Sequence, residues 1–300
     1  MTTLLAAFAS ITLLAQIATA QTSESLLARH YTDGEGVAYH MSATNVQGSQ
    51  KIAYDADAKG IVKKDASGIW YEEIGWSNLV WNGQPVTLPA ASQNLRQNLS
   101  LDPNSKLSVP NLAQVDPRLI GPITDLLTFY ADLTLAIHQP GFAAAGAHKY
   151  FAHGTPNSWA DGVYVILGQD SIDFDVTLSA VNAAAHTATL LVKHVPPAKP
   201  QIKLPASWMQ APVADTPNNW VMVTKASPGT FVAQIGKETF DVKLEVDTKT
   251  GRILSASMDN PVQATQRVCS DEALTQCPAP PVPLSIRRQI HLESIAPIGH

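Results

Sequence analysis

From Val37 onward, apolar and polar side chains alternate. Val37, Tyr39, Met41 and Ala43 share one face of the segment, with His40, Ser42 and Thr44 on the other. Ile52, Tyr54, Ala56 and Ala58 then oppose Lys51, Asp55, Asp57 and Lys59. A period of two with one polar face predicts an antiparallel sheet wetted on one side. Residues 65–68 (Asp-Ala-Ser-Gly) read as a turn, and 69–76 and 79–81 as strands. Asn82-Gly83 is the dipeptide of a two-residue hairpin leading into a strand at 86–88. Residues 36–89 thus form an N-terminal meander.

The period changes in residues 90–140, a helical insert. Ser92 is placed to cap a short helix carrying Leu95 and Leu99. Asp116-Pro117 is a second helix start, a capping carboxylate followed by proline at the first helical position. Leu119, Ile123, Leu126, Tyr130, Leu133 and Ile137 follow at spacings of three and four, one continuous apolar stripe. Gly121-Pro122 predicts a kink or a later start, and Pro140-Gly141 ends the helix.

A C-terminal meander occupies residues 160–295. It comprises strands at 163–167, 172–179, 187–195, 220–224, 231–235, 240–246, 253–258 and 285–295. Residues 196–217 hold six prolines and read as an extended connector. A second proline-rich loop is expected to carry both cysteines. No repeat of fixed period is present.

The first twenty residues bear on compartment. Leu4 to Ile17 is mostly apolar, and Ala18-Thr19-Ala20 before Gln21 has the pattern a signal peptidase reads. Residues 1–20 are therefore expected to be a signal peptide and 21–300 a single β-rich domain in the periplasm or outside the cell. No later stretch reaches the roughly 18 consecutive apolar residues of a membrane span. Hydrophobic residues make up 45% of the chain, enough for a large core, and the net charge of −5 is scattered. Without a basic patch, nucleic acid is not an expected partner. In an oxidising compartment Cys269 and Cys277 are expected to form a disulfide, since neither C-x-x-C spacing nor nearby histidine ligands accompany them.

Signatures of the common hydrolases and nucleotide-binding folds are missing: G-x-S-x-G, H-E-x-x-H, the P-loop and G-x-G-x-x-G before a βαβ unit. No cofactor is expected. Asp170, Asp173 and Asp175 lack calcium-loop spacing and read as the polar side of a strand. His148 and His153, with His138 before and Trp159 and Asp161 after, are the best metal or acid–base candidates, on a loop beside the helix. Solvated histidines are the simpler reading, and His194 reads as structural. Trp70, Tyr71, Trp76 and Trp81 crowd into one short meander, where they would line an apolar pocket, offer a carbohydrate-binding face or form core.

The order of short N-terminal helix (23–30), meander (37–88), central helix (117–138) and second meander (163–258) behind a leader resembles the half-barrel fold of bacterial lipoprotein carriers of the LolA and LolB type. That resemblance implies an incomplete antiparallel barrel curled around an apolar cavity, with helices as a lid. It transfers no site residue. The expected fold is thus mainly β (α+β): a curved antiparallel sheet or half-barrel with a central helical segment packed on its apolar face. The first functional reading is a non-enzymatic protein that binds a lipid or other hydrophobic molecule in an apolar cavity lined by Trp70, Trp76, Leu126 and Tyr130. The alternatives are a structural or protein-interaction module of the envelope and an exported enzyme using residues 148–161.

Overall fold

A computed structural model describes residues 25–108, 110–137, 139, 141–152, 159–161, 164–167, 173–195, 220–271 and 274–295; side-chain surroundings at 159–161, 164–167 and 220–222 are not described. The leader, the proline-rich connector and the calls on His138, His153 and Asp170 lie outside the described residues.

The expected architecture is the observed one: an open, curved antiparallel sheet with a central helix. The N-terminal meander runs through β1 (Gly36–Gln47), β2 (Gln50–Lys64), β3 (Trp70–Trp81) and β4 (Gln84–Pro85). β1 also pairs with the last strand, β15 (Val282–Ser294), and β15 pairs with the long β14 (Ile253–Cys269). At β14 the sheet forks. Its first half pairs with β13 (Phe240–Asp247), then β10 (Thr187–Val195), β9 (Asp173–Asn182) and β6 (His148–Phe151). Its second half pairs with β12 (Thr230–Glu238), then β11 (Trp220–Ser227), β8 (Tyr164–Leu167) and β7 (Trp159–Asp161).

Proline marks the fork. In an antiparallel strand the N–H and C=O of one residue point to the same side. Pro261 accepts a bond from Thr239 N (3.3 Å), so its missing N–H also faces Thr239, between the two partner strands. The strand expected at 253–258 therefore continues through proline to Cys269, which ends β14 instead of lying in a loop. Curvature has equally local causes. A Cβ on Gly60 would sit 2.0 Å from Glu73 O, so only glycine permits the approach of β2 to β3 there. Asn78, at φ 53°, forms a bulge where the register slips between Asp55 and Asp57. The two segments expected at 69–76 and 79–81 are one strand, and the bulge moves its inward side chains from Glu72, Ile74 and Trp76 to Leu79. The turn at Asn82-Gly83 has positive φ at both residues, as its hairpin type requires.

Helix α1 (Ala90–Gln93) is shorter than expected and lies before Leu95 and Leu99. Leu99 instead belongs to β5 (Gln97–Leu99), which adds to the edge of β3 opposite Glu72. Ser92 does not cap α1; its Oγ accepts Asp116 N (2.8 Å) at the foot of the next helix. That helix, α2 (Pro117–Ile137), starts at Pro117, with Asp116 Oδ1 accepting Arg118 N (3.0 Å), and passes Pro122 without ending. It is long and apolar enough to cross a membrane by length and composition, yet its apolar stripe is buried in the core.

The interface beneath α2 is close-packed. Leu119, Ile123, Leu126, Phe129, Leu133 and Ala136 have no accessible surface, so none borders a space that admits a water molecule. They meet the inward residues of the sheet, among them Tyr39, Met41, Ala56, Ile74, Leu190, Leu244 and Leu292. At the far end of β14, Cys269 is bonded to Cys277, closing a loop pinned by the Asp271 carboxylate on the amides of Thr275 and Gln276. Replacing both cysteines by serine is expected to lower unfolding free energy in urea by about 2–3 kcal/mol without preventing folding. A variant as stable as the parent would contradict a stabilising role for the crosslink.

Candidate functional site

Three polar groups lie between α2 and the sheet. In the first, Arg29 Nε donates to Glu72 Oε1 (3.0 Å), with side chains 0% and 1% exposed. The remaining donors of Arg29 reach His30 O, Thr250 O and Glu35. The other oxygen of Glu72 accepts the Tyr130 hydroxyl, which lies 3.0 Å from the Tyr39 hydroxyl. Burial, followed by the charge of Glu72, pushes both tyrosines above their ordinary range. These contacts tie together the N-terminal segment, β1, β3, α2 and the β13–β14 turn.

The second group sits at the mouth of the hollow, near the first turns of α2. Tyr54 (β2) and Arg288 (β15) both donate to Oδ2 of Asp125 (α2), at 2.5 and 2.7 Å. Desolvation raises the Asp125 pKa, opposed by the charge of Arg288 and by both hydrogen bonds. Beside this triad is a cavity of about 130 Å³, lined by Ala43, Thr44, Asn45, Ile52, Tyr54, Trp81, Gly121 and Arg288. Most of its wall is aliphatic and aromatic, with Thr44 and Asn45 as polar members, and Arg288, whose side chain is 31% exposed, borders it. Gly121 presents no side chain to it.

The third group lies at the fork. His194 Nε2 and Asp132 Oδ1 are 2.7 Å apart, and the ring packs between Phe174 and Phe240. The second oxygen of Asp132 is buried without a hydrogen bond. Glu238, at the last position of β12, faces Asn260, whose Nδ2 also donates to Thr239 O (2.8 Å). Burial pushes the Glu238 carboxyl up to about 7, against the opposing effects of Asn260 and His194. Among the described residues no group of three or more His, Cys, Asp or Glu side chains could hold a metal ion.

The residues singled out from sequence are distributed as follows. Leu126 and Tyr130 are 0% and 1% exposed, and Tyr130 spends its hydroxyl on Glu72. Trp76 is buried, donating to Gln97, which in turn donates to Ile123 O on α2. Trp70 is half-buried, stacked on Tyr31 with Lys64 over its ring. Of the four crowded aromatics, Trp81 borders the mouth cavity. His148 is on strand β6, not on a loop as expected, because residues 148–151 pair with β9; its Nε2 meets Asp175 Oδ1 (2.6 Å) in an exposed pair. Sequence spacing gave no sign of Arg288, Asp125 and Gly121 as a site. The readable hint was Asp125, which with Asp132 interrupts a largely apolar helical segment.

No family model matches the chain and no curated protein matches it. Among solved structures, one titled "Asymmetric conductivity of engineered proteins" aligns at 6% identity, covering 87% of this chain and 99% of that one, with a TM-score of 0.19. The complex of Pseudomonas aeruginosa MucA and MucB aligns at 9% identity, covering 88% and 90%, with a TM-score of 0.15. MucB bound to the MucA(peri) segment gives 8% identity, 86% and 89% coverage and a TM-score of 0.11. Likeness at this level carries no argument about function.

The fork makes a pH prediction. A carboxyl whose folded pKa is raised from 4.5 to about 7 binds a proton more tightly folded than unfolded, so its contribution is fully present below pH 4.5 and is lost as pH rises to 7. Relative to Glu238→Gln, the parent protein should therefore lose about 3 kcal/mol of stability across that window. Parallel stability–pH curves for the two proteins would contradict the assignment.

Proposed function

We propose that this is an exported, non-catalytic binding protein that receives the apolar end of a hydrophobic small molecule or lipid at the mouth of its half-barrel. The observation that carries the reading is the mouth cavity, an opening onto the concave face walled by Ala43, Ile52, Tyr54 and Trp81. Its size suits a phenyl ring or a short alkyl segment, since an apolar cavity of about 150 Å³ accommodates benzene. A longer ligand would extend outward past Ile52, whose side chain is 42% exposed. The close-packed interface at Leu126 and Tyr130 favours this rim over the space beneath α2. Export is supported by the apolar leader with its Ala18-Thr19-Ala20 ending and by the Cys269–Cys277 disulfide, a bond that persists in oxidising compartments.

Calorimetric titration with hexanol tests the proposal. One saturable site is expected, and Gly121→Leu, which puts a side chain into the cavity from a helix position where leucine is well tolerated, should abolish it. Absence of saturable binding to the parent, or equal binding by the Gly121→Leu variant, would overturn the reading.

A further inference from the structure

We infer that the mouth cavity selects ligands ending in a carboxylate, held by Arg288; this rests on the binding reading above and adds the ligand's chemical class.

The geometry of the guanidinium carries the inference. Arg288 is on the concave side of β15, continuing the inward series of Ile290 and Leu292, and it borders the cavity. One nitrogen, Nη2, is fixed on Asp125 Oδ2 at 2.7 Å. That same oxygen takes the Tyr54 hydroxyl, so Asp125 is a buried anchor held from two sides, with a side chain 3% exposed. The anchor sets the plane of the guanidinium from within. Among the described residues Nε and Nη1 of Arg288 have no hydrogen-bond partner, and Nη2 keeps a second N–H; because Nη2 shares one edge with Nε and the other with Nη1, one two-donor edge remains for a ligand. A planar fork of N–H groups matches the two oxygens of a carboxylate.

The rest of the wall narrows the class. Ala43, Ile52, Tyr54 and Trp81 offer hydrocarbon and ring faces, Thr44 and Asn45 are neutral and polar, and there is no second cation among the lining residues. A phosphate dianion would therefore lack a partner for its second charge, and a sugar would leave most of its hydroxyls unpaired against apolar walls. An ammonium group would find the nearest carboxylate, Asp125, buried and already bonded to Tyr54 and Arg288. A carboxylate on a short alkyl or aryl body satisfies both the fork and the walls.

Calorimetry with hexanoate, hexanol and hexylammonium separates the possibilities. The parent protein should bind hexanoate about tenfold or more tighter than hexanol, the effect of one charge-assisted hydrogen bond, and hexylammonium weakest. Arg288→Gln should remove the preference, so that the variant binds hexanoate no tighter than it binds hexanol. Because that variant leaves Asp125 buried without its cation, Asp125→Asn/Arg288→Gln is measured beside it, and circular dichroism verifies that each is folded. Hexanol bound as tightly as hexanoate, or a hexanoate preference that survives in the folded double variant, would overturn the carboxylate assignment while leaving the binding reading intact. Failure of all three compounds to bind would overturn both.

Discussion

Arg29 and Glu72 form an ion pair sealed from water, and separate parts of the chain are tied to it. Arg29 belongs to the N-terminal segment, Glu72 to the concave face of β3, and the Tyr130 hydroxyl on Glu72 brings in the middle of α2. Through Thr250 O, and through Glu35 to Arg252, the same guanidinium fixes the turn between β13 and β14. Such a pair is costly to desolvate and gains little over apolar groups of equal volume, but leaving either partner alone is far more expensive. Its consequence is uniqueness of arrangement. The helix can lie over the sheet in the register that delivers Tyr130 to Glu72; a shift by one residue would move that hydroxyl away and leave one buried oxygen of Glu72 without it.

The turn tied to this pair shows how tight the arrangement is. Gly251 has φ +68°, and a Cβ there would lie 2.2 Å from Ala28 O, so the N-terminal segment rests directly on glycine backbone. On either side of Tyr130 along α2, Asp125 and Asp132 repeat the device one heptad apart, meeting Arg288 on β15 and His194 on β10. The helix is thus keyed into the sheet by an acid or a phenol at successive levels, with leucine, isoleucine and phenylalanine filling the space between. Apolar packing supplies most of the driving force, and the polar keys choose one placement among those that packing alone would permit.

Much of this fold was legible in the residues. Period-two alternation marked β1 and β2 with the correct inward faces, Asn82-Gly83 marked its hairpin, and Asp116-Pro117 marked the start of α2. What escaped were features set by distant partners. Leu99 has helical spacing from Leu95, yet the exposed edge of β3 draws it into a strand. Pro261 reads as a strand breaker until the fork supplies a place where its missing N–H faces a gap between partners. The mouth site was the least legible, because Asp125 and Arg288 are 163 positions apart and Gly121 contributes by what it lacks. The apolar stripe of α2 predicted its burial correctly; that tyrosine and aspartate within the helix would be used as polar keys was not deducible without knowing which residues lie across from them.

The central claim is that the buried pair fixes the packing of helix, sheet and N-terminal segment. Glu72→Gln tests it most directly, since it keeps the shape and removes the charge facing Arg29. Urea denaturation followed by circular dichroism should show a loss of about 1.5–3 kcal/mol, the range of a hydrogen bond to a charged group, since Glu35 still faces Arg29. Hydrogen exchange should show the N-terminal segment and the residue 247–251 turn losing protection together. A variant within about 1 kcal/mol of the parent, the range of an exposed pair, with protection unchanged in both segments, would contradict the claim.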